Sequence, residues 1–166
     1  MIPPNKTRLN GDEADGELID VVLDSIYALD AEKIDLGKYS VHEETLILVF
    51  QILGLAGNRG FEGLFCDEID GDPGYVRSVA AFKRIEATKA AFCFAELLEL
   101  FAKTSHRKSF DKRADDFAKA NNVKLEMLEG AFLDAEPEII SKLAKYIRDH
   151  RHEFRTVQWA DDQPSS

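Results

Sequence analysis

Apolar residues recur every three or four positions along most of this chain, the mark of helices that bury one face. Leu18, Ile19, Val22, Leu23, Ile26 and Tyr27 form the first such stripe, and Asp20, Asp24 and Asp30 lie off it. The spacing predicts an amphipathic helix with an acidic outer face. Ser40-Val41-His42-Glu43 has the form of a capping box, which opens a second helix. There Leu46, Val49, Phe50 and Leu53 line one face, and Ile47, Leu48, Ile52 and Leu55 make most of the rest apolar. A helix apolar nearly all round belongs at the centre of a fold. Gly57-Asn58 is its expected end, since either residue can take a left-handed cap.

Gly60 to Cys66 then reads as a short helix or turn that carries Phe61 and Phe65 into the core. Asp67 to Gly74 is a loop by its glycine and proline content, with Pro73 able to open the next helix and an Asp able to cap it. Further stripes follow at Val76–Lys83, from Thr88 to Phe101, at Phe110, Ala114 and Phe117, and at Leu125, Leu128 and Phe132. Pro137 fits the first turn of a last helix that faces in with Ile139, Ile140, Leu143, Tyr146 and Ile147. Acidic residues at its start and Arg148, His150 and Arg151 at its end complement the helix dipole. No run alternates with the period of a strand. The expectation is an all-α, bundle-like single domain of about six to eight helices over residues 17–159. Residues 1–16 read as a flexible polar lead-in and 160–166 as a flexible tail.

Composition agrees with such a domain: 166 residues, 45% hydrophobic, with 11 Phe. No run is long and apolar enough to span a membrane, and the first residues lack the apolar core of a secretion signal. Cys66 and Cys93 stand apart from each other and from any His, so they read as reduced core thiols of a cytoplasmic protein.

Charge changes the picture more. Residues 1–75 hold 16 acidic side chains against 5 basic ones, while residues 76–166 hold 15 against 16. The excess negative charge therefore sits in the first half. Such a surface repels nucleic acid and anionic membrane and attracts basic proteins. The contact candidates are Asp12, Glu13, Asp15, Glu17, Asp20, Asp24, Asp30, Glu32 and Asp35. Carboxylates one helical turn apart, as Asp20 and Asp24 are, stand about 5–6 Å from each other.

The chain carries no catalytic signature. A glycine-flanked serine, a Cys–His pairing and a phosphate-cradling loop are all missing from the sequence. Asp67, Glu68, Asp70 and Asp72 cluster without the frame of a calcium loop. His42 and His106 read as surface residues, and His150 and His152 fall on different helix faces. Lys103, Arg107, Lys108, Lys112 and Arg113 form a basic patch that reads as a solvated face or as an internal partner for the acidic half. No metal or cofactor is expected.

One run is more specific. From Glu44 it passes through Asn58-Arg59-Gly60-Phe61-Glu62-Gly63-Leu64-Phe65, then Tyr75, Val79 and Arg84-Ile85-Glu86-Ala87 to Ala95-Glu96-Leu97-Leu98. It closes on Leu143-Ala144-Lys145-Tyr146-Ile147-Arg148-Asp149-His150 with Glu153-Phe154. In order and spacing this resembles the C-terminal-domain family of a bacterial DNA mimic protein, over about residues 40–155. Arg59 stands where that family often has glycine, and Leu64 where an aromatic is common. The turn itself reads as structural: Asn58 and Gly60 permit unusual backbone angles, and Phe61 and Phe65 anchor it. The resemblance implies a helical fold. For the founding member it also implies an acidic surface that occupies the DNA-binding face of a transcription factor.

The expected function is therefore a non-enzymatic, acidic protein-binding module, a DNA mimic whose partner is a basic, DNA-binding protein. It would touch neither nucleic acid nor membrane, and its oligomeric state is open, a dimer included. The alternative is a helical structural or regulatory domain that binds through an apolar groove. A pocket near Asn58, Arg59 and Asp67 would point instead to an enzyme.

Overall fold

A computed structural model describes residues 8–28, 35–67, 69–100, 110–120 and 122–160. Seven α-helices account for most of them: α1 (Asp15–Tyr27), α2 (Val41–Cys66), α3 (Val76–Arg84), α4 (Thr88–Leu100), α5 (Phe110–Lys119), α6 (Asn122–Leu133) and α7 (Glu136–Asp149). The class is all-α, as the periodicity predicts.

The most apolar helix is the centre. α2 packs against α1, α3, α5, α6 and α7, and the other main pairs are α1 on α7, α3 on α4 and α4 on α6. Leu46, Ile47, Leu48, Val49 and Ile52 of α2 are all fully buried. Phe82 stands edge-on to both Phe94 and Phe132, and Phe132 meets Phe61 in the same way, so four rings from α2, α3, α4 and α6 interlock. Among the described residues, no helix is long and apolar enough to cross a membrane.

The capping box at the start of α2 forms as its residues imply. The Glu43 amide donates to Ser40 Oγ at 3.2 Å and the Ser40 amide to Glu43 Oε2 at 3.0 Å. The far end differs from expectation. α2 does not stop at Gly57-Asn58; it continues through Arg59, breaks at Gly60 (φ 62°, ψ −159°) and resumes at Phe61. The start of α3 differs too. Pro73 lies in the preceding turn, and Tyr75, with a left-handed φ of 57°, is the residue before the helix. The cap comes from Asp72, whose buried carboxylate accepts the amides of Arg77 (3.0 Å) and Ser78 (2.7 Å) and the Ser78 hydroxyl (2.8 Å). Tyr75 is held in that backbone by its hydroxyl, which donates to the Asp67 carbonyl at 2.5 Å, and by its ring against Phe94.

Two minimal strands also appear where none was expected. β1 (Arg8–Leu9) pairs parallel with β2 (Gln158–Trp159). A two-residue strand is too short to leave an alternation in the sequence. The pairing fastens Leu9 and Trp159 into the core, with 1% and 2% of their surface exposed. Residues 8–16 are thus part of the domain and not a free lead-in; residues 1–7 and 161–166 lie outside the described residues.

Candidate interaction faces

The stripe that makes α1 a helix also sorts its carboxylates. Leu18, Ile19, Val22, Leu23 and Ile26 are buried, chiefly against α7, which turns Glu17, Asp20 and Asp24 outward. All three are exposed, and none of their carboxylates has a hydrogen bond or ion pair among the described residues. Spacings of three and four residues place them in one row, with steps of about 4.5 and 6 Å along the axis. Asp12 is exposed just before the helix.

The other acidic candidates do different work. The Glu13 carboxylate folds back to accept the amides of Asn10 and Gly11, at 2.9 and 2.8 Å. Burial opposes its ionisation, but those amides and the nearby Arg148 charge hold its carboxyl below the usual range. Asp15 pairs with Arg148 at 2.8 Å. Asp35 accepts the Gly37 amide and caps a 3-10 turn over Leu36–Lys38. Asp30 and Glu32 lie outside the described residues. Of nine candidates, four thus present themselves to solvent without a local task.

Arg148 is what locks the N-terminal segment in place. From the last turn of α7 its Nε donates to the Gly11 carbonyl (2.8 Å) and one terminal nitrogen to the Glu13 carbonyl (2.7 Å), while the other reaches Asp15. One guanidinium so joins the segment ahead of α1 to the final helix.

The turn motif is a helix break with a dedicated partner. At Gly60 the backbone leaves the helical region, and the Phe61 amide finds an acceptor outside the helix. Glu129, from α6, supplies one: its Oε2 accepts that amide at 2.6 Å. A Cβ added at Gly60 would stand 2.6 Å from the same oxygen. Phe61 and Phe65 are buried, as expected for anchors, and Asn58 is exposed. Arg59 pairs with Asp67 at 2.8 Å across the second half of α2. The break, with α5 and α6 beside it, leaves an open cleft of about 280 Å³ lined by Arg59, Glu62, Phe117, Leu125, Glu126 and Glu129.

A group that sequence reasoning missed lies where α2 begins. His42 and His150 stack with ring centroids 4.5 Å apart, and Tyr146 lies against both. The Tyr146 hydroxyl is 2.7 Å from His42 Nδ1. His150 Nδ1 lies 3.0 Å from the Tyr146 carbonyl, which can only accept, so that nitrogen carries the proton. Burial, the facing His150 and Arg84 push the His42 pKa down against the pull of Glu153 and Glu43. Burial pushes the Tyr146 pKa up. The four-residue spacing of Tyr146, in α7, and His150, just past its end, was the available signal; their pairing with His42 was not visible.

Two further arginines serve the scaffold. Arg77, partly exposed, forms a two-pronged pair with buried Glu44. Arg113, from the expected basic patch, is buried and donates twice to the Cys66 carbonyl, closing the end of α2. It is an internal partner of the first half, while Lys112 is exposed and Lys103, Arg107 and Lys108 lie outside the described residues. Cys66 and Cys93 are buried free thiols whose pKa values burial raises.

These features define a helical domain with a central broken helix, a clamped N-terminal segment and an exposed acidic row. The family model described as DMP19-like protein matches residues 37–150, and the chain belongs to that family. Comparison with curated proteins and with solved structures returns no match. The matched span starts after α1, so the acidic row lies outside it.

Proposed function

We propose that this protein is a non-enzymatic binding module whose α1 face docks on a basic protein surface, in the manner of a DNA mimic. The observation that supports it is the row Glu17, Asp20 and Asp24: exposed, unpaired among the described residues, and fixed in direction by the burial of the opposite face. Duplex DNA presents about one charge per 1.7 Å of axis. Phosphates along one strand are roughly 6–7 Å apart, a geometric estimate consistent with that density. The steps along α1 approach this spacing. Because α1 is clamped by Arg148 and by the β1–β2 pairing, the row is held ready and costs little ordering on binding.

The test is affinity capture from a cell extract, followed by competition. A partner should bind at low salt, leave as salt rises and be displaced by duplex DNA. The E17Q/D20N/D24N variant should lose it. Partners that persist at high salt and ignore duplex DNA would falsify the proposal.

A second reading has its own observation. Phe92, Val123 and Met127 are 61%, 68% and 71% exposed on the packed helices α4 and α6. Exposed apolar residues on neighbouring helices suit an apolar contact. A partner lost on F92S/M127S and indifferent to salt would favour that reading.

A further inference from the structure

The helix break creates a second feature, away from the α1 row. α2 departs from its axis at Gly60, and α5 and α6 leave a concavity beside the departure. Phe117 and Leu125 give it an apolar, partly aromatic lining, and Phe117 is backed by Phe65 at 6.0 Å between ring centroids. Glu62 and Glu126 are exposed and have no hydrogen-bond or ion-pair partner among the described residues. Glu129 lies against the Phe61 amide. Among the described lining residues the one cation, Arg59, is engaged by Asp67.

We infer that this cleft receives a single arginine side chain of the basic partner, as an anchor separate from the α1 row. The inference rests on the proposed protein-binding role. Volume, lining and charge agree on this occupant. About 280 Å³ is at the small end of ligand pockets and suits one long side chain better than a metabolite. An aromatic face with carboxylates around it matches a guanidinium, which is planar, weakly hydrated and able to stack while its edges donate to carboxylates. Anionic ligands meet three carboxylates there, and purely apolar ones would strip water from them. Anchor residues of this kind, held in a pocket at an interface, carry a large share of binding energy, and arginine is prominent among them.

The test is an NMR titration of the full chain with N-acetyl-L-arginine methylamide. Saturable shifts are expected for the Phe117 ring and for the amides of Glu62, Leu125 and Glu126. They should be unaltered in E17Q/D20N/D24N and weakened about threefold or more in E62Q/E126Q, which removes two exposed charges. Both variants keep shape and touch no buried contact, so an unchanged thermal midpoint controls for folding. Shifts confined to α1 and abolished by E17Q/D20N/D24N would overturn the cleft and leave the acidic-row proposal standing. Unsaturated drift at every surface carboxylate, or no shift at all, would overturn the cleft too. Salt-insensitive partner capture bears on the acidic row alone.

Discussion

Glu129 and Phe61 are 68 residues apart in sequence, yet the carboxylate of one closes the broken backbone of the other at 2.6 Å. α2 can therefore bend without burying an unpaired amide, and the bend positions Phe61 against Phe132 and opens the cleft beside Arg59.

Gly60 is the residue that this arrangement cannot exchange. Its φ of 62° with ψ of −159° lies in a region that is essentially glycine's alone. Gly60→Ala should cost about 1–3 kcal/mol in backbone strain, with a further loss from displacing Glu129. Urea unfolding should show a lower midpoint with an unchanged slope. A fall no larger than that of Gly57→Ala, at a glycine whose added Cβ meets nothing, would show that the break is not required.

Glu129 itself should show graded effects. Glu129→Gln keeps an acceptor for the Phe61 amide and loses only the charge, so it should cost roughly 1 kcal/mol. Glu129→Ala leaves that amide unpaired and should cost about 1–3 kcal/mol. Hydrogen exchange at the Phe61 amide reads the bond directly: fast in the alanine variant and intermediate in the glutamine one.

Much of this was legible from local pattern. The stripes located the helices, Ser40 and Glu43 located a cap, and the near-continuous apolar run of Leu46–Leu53 identified the central element. What was not legible depends on distant partners. Gly57 and Asn58 have the chemistry of a helix end, but the break falls at Gly60, where Glu129 of another helix stands ready to accept. An Asp cap for α3 was legible and Asp72 supplies it, but Pro73 does not open the helix: it stays in the preceding turn, because the buried carboxylate takes the amides of Arg77 and Ser78. The acidic candidates divide partly for the same reason: Asp15 looked equivalent to Asp20 and Asp24 until Arg148 arrived from the far end of the chain, while Glu13 is taken by the nearby amides of Asn10 and Gly11. His42 and His150 each looked superficial alone.

Arg148 should hold the N-terminal segment more than it holds the domain. Arg148→Met keeps much of the apolar stem and removes the donors to Gly11, Glu13 and Asp15, so it should cost about 1–3 kcal/mol. Asp15→Asn breaks only the partly exposed ion pair and should cost under about 1 kcal/mol. Amide exchange should speed up at Leu9, Asn10 and Gly11 in Arg148→Met while the α2 amides stay protected. Equal loss of protection in α2 would mean that the guanidinium supports the whole core.

The His42 stack should make stability depend on pH in a definite sense. Burial, His150 and Arg84 depress the His42 pKa below its ordinary 6.5, and Glu43 and Glu153 only partly offset them. As pH falls through 6.5 the unfolded chain takes up a proton at this position before the folded one does. Stability from the neutral ring is therefore complete above that value and declines from there down to the folded pKa. His42→Phe retains a ring against His150 and abolishes the titration, so its urea midpoint should vary less than the parent's from about pH 7 to pH 5. The loss of a partner for the Tyr146 hydroxyl lowers the midpoint at every pH, which separates that cost from the slope. An NMR titration placing the His42 pKa above 6.5 in the folded protein would reverse the sign, with stability rising as the solution is acidified.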